Sequence, residues 1–142
     1  MLLDGDQVRH GLCGDLGFSP ADRTENIRRV GEVAKLFFEQ GAVVLCTFVS
    51  PFRSDREAVH QLFPAPQLLD VYVRAPLEVL KERDPKGLYS REATGQLSLP
   101  GSESTYEPPD RPDLDLDTTS LSVGDAVDIV IKRLGSLVWP PG

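Results

Sequence analysis

A parallel-sheet α/β fold is predicted from three observations. The run from Ala42 to Phe48 is apolar apart from Thr47, as in strands covered on both faces. Ahead of it, Ser19-Pro20-Ala21-Asp22 reads as a helix start, and apolar residues follow at helical spacing. After it, strand and helix patterns alternate, which implies parallel pairing with helices on the sheet faces.

Taken in order, Leu2-Leu3 is short for a strand unless an upstream residue extends it, and it leads into Asp4-Gly5-Asp6. In an α/β protein this placement puts both carboxylates at a strand's carboxyl end, where ligands bind. One acid can hold a hydrated Mg²⁺ while the other accepts a proton from a hydroxyl. An Asp-x-Asp alone is more often a solvated turn. The arginines that follow suit an anionic substrate.

In the next helix Ser19 is the N-cap, Pro20 takes the first helical position and Asp22 turns back toward the cap. Ile27, Val30, Ala34, Phe37 and Phe38 form its apolar stripe and Gly41 its stop. About 21 residues at the α-helical rise span on the order of 30 Å. Arg23, Asn26 and Arg29 are expected off that stripe.

Val49-Ser50-Pro51 then falls at a strand's carboxyl end. Ser54 to Glu57 reads as a second capping box, opening a short helix toward Phe63 that Pro64 and Pro66 close. Leu68 to Val73 is the next strand, and a helix runs from Pro76 to near Arg83. From Asp84 to Pro112 periodicity fails, so a long loop is expected, either a lid or disordered. Leu114 to Asp117 alternates like an edge strand. Ser122 caps a last helix carrying Val123, Ala126, Ile129, Val130 and Leu134 and stopped by Gly135, with residues 136–142 as a surface tail.

At 142 residues the chain fits one domain, 1–142, with a real core. A net charge of −7 and a pI near 4.8 argue against nucleic acid or anionic membrane as bulk partners. A small anionic substrate needs only a local basic cluster, which Arg9, Arg23, Arg28, Arg29, Arg53 and Lys86 can supply. Cys13 and Cys46 match no metal spacing, and Cys46, inside the apolar run, is expected to be a buried thiol. No signal peptide, membrane-spanning run or lipidation motif is visible, so reducing cytoplasm is the expected compartment.

Four ordered stretches carry a resemblance: Leu3 to Arg29, Phe48-Val49-Ser50-Pro51-Phe52-Arg53, Arg83-Asp84-Pro85-Lys86-Gly87-Leu88-Tyr89, and Leu116-Asp117-Thr118. Together they resemble the adenylyl-sulfate kinase family over nearly the whole chain. That family transfers the γ-phosphate of ATP, carried with Mg²⁺, to the 3′-hydroxyl of adenosine 5′-phosphosulfate in sulfate assimilation. The resemblance implies a P-loop kinase-like parallel sheet with flanking helices. Its members open with a strand, a Gly-x-x-x-x-Gly-Lys-Ser/Thr phosphate loop and a helix, whereas this sequence contains no Gly-Lys pair. The expected fold therefore lacks the first, central strand, and the 142 residues alone are expected to show no phosphoryl transfer.

By the same resemblance Asp6 is the candidate base for the 3′-hydroxyl, and Asp4 helps hold Mg²⁺. Arg9, Arg23 and Asn26 grip the phosphosulfate nucleotide. Phe18 stacks on adenine, although a hydrophobic residue just before an N-cap is equally a staple to the helix. Val49 and Ser50 contact substrate by backbone and hydroxyl. Ser50 is read as a positioning residue, because in-line transfer needs no covalent step. Lys86 lies in the lid, and Arg83 and Thr118 belong to the ATP side. Arg28 and Arg29 are less clear, at least one being surface charge.

Departures from the family cluster in the lid. Tyr89-Ser90-Arg91-Glu92-Ala93-Thr94-Gly95-Gln96-Leu97 stands where the family continues Tyr with Lys-Lys-Ala-Arg-Ala-Gly-Glu-Ile. Leu99-Pro100-Gly101 stands where it has Phe-Thr-Gly. The lost aromatic would remove about 1–3 kcal/mol of stacking. Two other readings compete: a pseudokinase module that binds an adenylate without phosphorylating it, and a kinase for another small hydroxyl acceptor. A homodimer or an association with a sulfurylase is the partnership the resemblance implies.

Overall fold

The computed structural model describes residues 1–84, 87, 89 and 106–138. The described residues form two compact units, residues 1–64 with 106–108 and residues 65–89 with 109–138. Parallel strands and helices occur in both, the α/β class that the sequence predicts.

The first unit comprises β1 (Leu2–Asp4), α1 (Gly5–His10), α2 (Pro20–Glu39), β2 (Leu45–Thr47) and α3 (Arg53–His60). Short as it is, Leu2-Leu3 forms a strand, because it pairs in parallel with β2: Leu2 opposite Leu45, Leu3 opposite Cys46, Asp4 opposite Thr47. The core gathers Leu3, Val8, Cys13, Val30 and Ala34, with Leu16, Val33, Val44, Phe48 and Phe63 packed against it. Phe38 and Phe63 add an edge-to-face contact, ring centroids 5.5 Å apart.

The start of α2 is the expected capping box, in which the Ser19 hydroxyl accepts from the Asp22 N–H at 3.2 Å and the Asp22 carboxylate accepts from the Ser19 N–H at 3.3 Å. The helix ends at Glu39, and Gly41 follows with φ +82°. Asn26 departs from expectation: it is buried, 4% exposed, beside Ile27 and one turn before Val30. Its polarity suggested a solvent position that the helical period does not allow.

Three further expectations are corrected, on β2, on Cys46 and on the start of α3. The strand expected over 42–48 is regular only over Leu45–Thr47, and it is not covered on both faces. Val44 and Phe48 face the core, but Val43, Leu45 and Val49 are 45%, 52% and 57% exposed, because β2 has one paired edge and one packed face. Cys46 is exposed although alternation puts it on the face of Val44 and Phe48, and Cys13 is the fully buried thiol. The Ser54 to Glu57 box also fails to form. The N-cap of α3 is Phe52, with no side-chain cap of its own, and the Glu107 carboxylate accepts the Arg53 N–H at 2.6 Å instead.

The second unit holds β3 (Val71–Arg74), α4 (Leu77–Arg83), β4 (Leu114–Asp117) and α5 (Val123–Val138). β3 and β4 pair in parallel from Val71 opposite Leu114 to Arg74 opposite Asp117, with Leu116 buried. β3 starts three residues later than Leu68, where Asp70 still exchanges backbone and side-chain hydrogen bonds with Asp113 and Leu114. Ser122 and Asp125 form the capping box of α5, which runs through Gly135 rather than stopping there. A lone helical glycine costs about 1 kcal/mol relative to alanine. The helix continues beyond it despite that cost. Lys86, Leu99 and the tail 139–142 lie outside the described residues, and residues 106–112 carry no helix or strand.

Candidate functional site

Asp4 ends β1 and begins α1. Its Oδ1 accepts from the N–H groups of Asp6 (3.0 Å) and Gln7 (3.4 Å), and its Oδ2 accepts the Thr47 hydroxyl at 3.0 Å. Gly5 permits this tight corner, since a Cβ there would lie 3.3 Å from the Thr47 carbonyl. Asp6 follows in the exposed first turn of α1, where a carboxylate is favoured by the helix dipole.

A basic and aromatic cluster lies around the start of α2. The Arg9 guanidinium sits 4.3 Å from the Phe18 ring centroid and that of Arg23 5.6 Å from it. Both are held by backbone: Arg9 donates to Gly17 O at 2.8 Å and Arg23 to Phe18 O at 2.9 Å. Burial, and then the charge of Arg9, lower the pKa of Arg23 from its usual range. Phe18 is 51% exposed, and the helix position a staple would reach is Arg23 itself, so no apolar staple forms. Asn26 is buried nearby in the sequence of the same helix, and its Oδ1 has no hydrogen-bond partner. A buried acceptor left unpaired costs about 1–3 kcal/mol.

Arg28 and Arg29 are both engaged in ion pairs on the surface of α2. Arg29 forks onto Asp15 at 2.6 and 2.8 Å and also reaches Glu25 at 2.9 Å, while Arg28 meets Glu25 at 2.7 and 2.8 Å. These bonds pull the Glu25 carboxyl down to about 2 and lower that of Asp15.

Past β2, Val49 is exposed and Ser50 takes φ +41°. The Ser50 carbonyl accepts from Arg56 at 2.7 Å. In the second unit Arg83 donates to both the hydroxyl and the carbonyl of Thr118, at 2.9 and 2.8 Å. Arg74 ties the same strand end through Asp115 and Asp117 at 2.6 and 2.9 Å.

This geometry can be set beside known proteins. The model of the family described as adenylylsulphate kinase matches residues 1–117. The chain belongs to the adenylyl-sulfate kinase family. It is 53% identical to the adenylyl-sulfate kinase of Marinobacter nauticus over 134 residues, 94% of this chain and 67% of that protein, so it spans about two thirds of that relative's length. The bifunctional enzyme NodQ of Azospirillum brasilense is 53% identical over 135 residues, 94% of this chain but 22% of its own length. Among solved structures, the APS kinase CysC of Mycobacterium tuberculosis in complex with AMPPNP and APS matches with a TM-score of 0.84 at 40% identity, covering 95% of this chain and 79% of that one.

Of the residues that motif reading assigns to an adenylyl-sulfate kinase site, Arg9, Phe18 and Arg23 are brought together, and so are Arg83 and Thr118. Asp4 and Asp6 stand at one strand end. Sequence reading missed Thr47, Arg56 and Glu107. Thr47 had a signal, as the one polar side chain in the apolar run. The other two had none: Glu107 meets Arg53 and Arg56 from more than 50 residues away, and the nearer bond of Arg56, to the Ser50 carbonyl, depends on a backbone turn that residue types do not announce.

Proposed function

We propose that the first unit binds adenosine 5′-phosphosulfate and that the reaction it serves moves the γ-phosphate of ATP to the 3′-hydroxyl. The observation carrying this reading is the half-exposed Phe18 ring flanked by Arg9 and Arg23, a face for a base beside cations for an anion. The unpaired Asn26 Oδ1 adds an acceptor that a ligand donor could satisfy. Asp6 accepts the 3′-hydroxyl proton, and Val49 and Ser50 fix the nucleotide from β2. Arg83 and Thr118 serve the ATP side, and Lys86 the lid.

Asp4 and Asp6 offer the hard oxygen donors that Mg²⁺ prefers. The Asp4 oxygens already accept hydrogen bonds from Asp6, Gln7 and Thr47, so Asp4 would hold the ion through its water shell. Bound with ATP, Mg²⁺ supplies charge neutralisation at the phosphates.

The finer fold reading is that these residues lack the central strand of the kinase sheet. The exposed apolar β2, paired on one edge, supports it. Binding without turnover is accordingly the second reading for the 142 residues, favoured by the missing Gly-Lys pair. Two free cysteines support a reducing cytoplasm, and no described helix is long and apolar enough to cross a membrane. The bifunctional relative supports association with a second enzyme, for which a sulfurylase is the proposal.

Calorimetric titration with adenosine 5′-phosphosulfate, with and without ATP, tests the reading. Binding should weaken by about 1.5–3 kcal/mol in Arg23→Ala, the range for a charge-assisted hydrogen bond. An unchanged dissociation constant would sink the assignment. Phosphoryl transfer by the 142 residues, absent in an Asp6→Ala control, would reject the second reading.

A further inference from the structure

Among the described residues Ser50 is the one non-glycine residue with φ well into the left-handed range, at +41°. Such a conformation persists where the surroundings over-determine it. Arg56, in the first turns of α3, donates through Nη1 to the Ser50 carbonyl at 2.7 Å and through Nη2 to the Glu107 carbonyl. Its two terminal nitrogens are thus each engaged by a carbonyl oxygen, which is the arrangement of a backbone clamp. Glu107 is in turn fixed at two points, its N–H donating to Pro51 O at 2.9 Å and its carboxylate accepting the Arg53 N–H at 2.6 Å. Arg53 also donates to Pro108 O at 3.1 Å, and the Arg56 guanidinium lies 5.8 Å from the Tyr106 ring centroid.

We infer that Arg56 is a positioning residue that, seated on the Glu107 carbonyl, holds Ser50 in its left-handed conformation and so presents the Val49-Ser50 segment to the nucleotide substrate. This rests on the reading of Val49 and Ser50 as substrate contacts. Arg56 acts through Ser50 and does not touch the ligand. Lysine at this position presents one nitrogen in place of two, so it must serve both carbonyls from a single point and loses the planar fork that fixes their relative placement.

The test is a double-mutant cycle read by calorimetric binding of adenosine 5′-phosphosulfate to the full chain, with circular dichroism to verify folding. Arg56→Ala should weaken binding roughly tenfold, and Arg56→Lys by an intermediate factor. In a Ser50→Gly background, where positive φ carries no side-chain strain, Arg56→Ala should cost less than about threefold. A purely structural Arg56 would lower the melting temperature and weaken binding equally in both backgrounds. Equal losses, or full binding by folded Arg56→Ala, overturn the clamp and leave the substrate reading standing. No binding by the unsubstituted chain overturns the substrate reading, and the clamp with it. If Arg56→Ala does not fold, Arg56→Lys is compared in the same two backgrounds and decides by the same criterion.

Discussion

The Thr47 hydroxyl donates to Asp4 Oδ2 at 3.0 Å, across the parallel pair in which these two residues are register partners. Asp4 therefore has a structural duty, joining β2 to the N-terminus of α1, separate from any part in holding Mg²⁺. Asparagine caps a helix about as well as aspartate, whereas alanine costs about 0.5–2 kcal/mol. Asp4→Ala should lower urea-unfolding stability by that amount, and Asp4→Asn should stay within about 0.5 kcal/mol of the parent. Any Mg²⁺ dependence of nucleotide binding should weaken in both. A stable Asp4→Asn with unchanged Mg²⁺ dependence would assign Asp4 to the fold alone.

Asn26 sets stability against binding. Its buried Oδ1 is unpaired, so replacing the amide with an apolar group of similar volume removes a desolvation cost of about 1–3 kcal/mol. Asn26→Leu should raise the melting temperature of the ligand-free chain and weaken adenylate binding by at least about 1 kcal/mol. Differential scanning calorimetry and titration check the two halves separately. A destabilised Asn26→Leu would mean that the amide nitrogen, and not the orphan oxygen, dominates at this position.

Phe18 invites the opposite pattern. Because the ring is half exposed and staples no apolar residue, Phe18→Ala should lower stability by no more than about 1 kcal/mol, the scale of its exposed contacts with Arg9 and Arg23. Loss of base stacking should weaken adenylate binding by about 1–3 kcal/mol. A large drop in urea midpoint with unaltered binding would restore Phe18 to a packing role.

What the sequence made legible was local. The Ser19-Asp22 box and the Ser122-Asp125 box lie within one turn, so their chemistry is written in adjacent letters, and the bounds of β4 follow from its alternation. The start of α3 was misread because its cap is Glu107, supplied from a segment 54 residues away. The exposure of β2 was misread because a strand's burial is decided by its neighbours and not by its own side chains. The site divides the same way. Asp4, Asp6, Arg9 and Arg23 stood out by residue type and spacing, while Arg56, inside the Ser54 to Glu57 stretch, had no role of its own until its carbonyl partners were known.

The Glu25 ion cluster gives the chain an acid limit. Glu25 accepts from Arg28 and Arg29, whose hydrogen bonds hold its pKa at about 2 against an ordinary 4.5. A carboxyl whose folded pKa is depressed stabilises the fold fully above the unfolded value and loses that contribution as pH falls through the folded one. The contribution of Glu25 should be complete above about pH 5 and decline between about pH 4.5 and 2. Asp15, also lowered by Arg29, declines at the acid end of the same window. Glu25→Gln should therefore melt below the parent at pH 7 and converge with it near pH 2. The cluster is partly open to solvent, Arg28 most of all, so 1 M salt should shrink the pH 7 difference. Melting curves of parent and Glu25→Gln from pH 2 to 7 measure this, and parallel curves across that range would show that the cluster contributes nothing to stability.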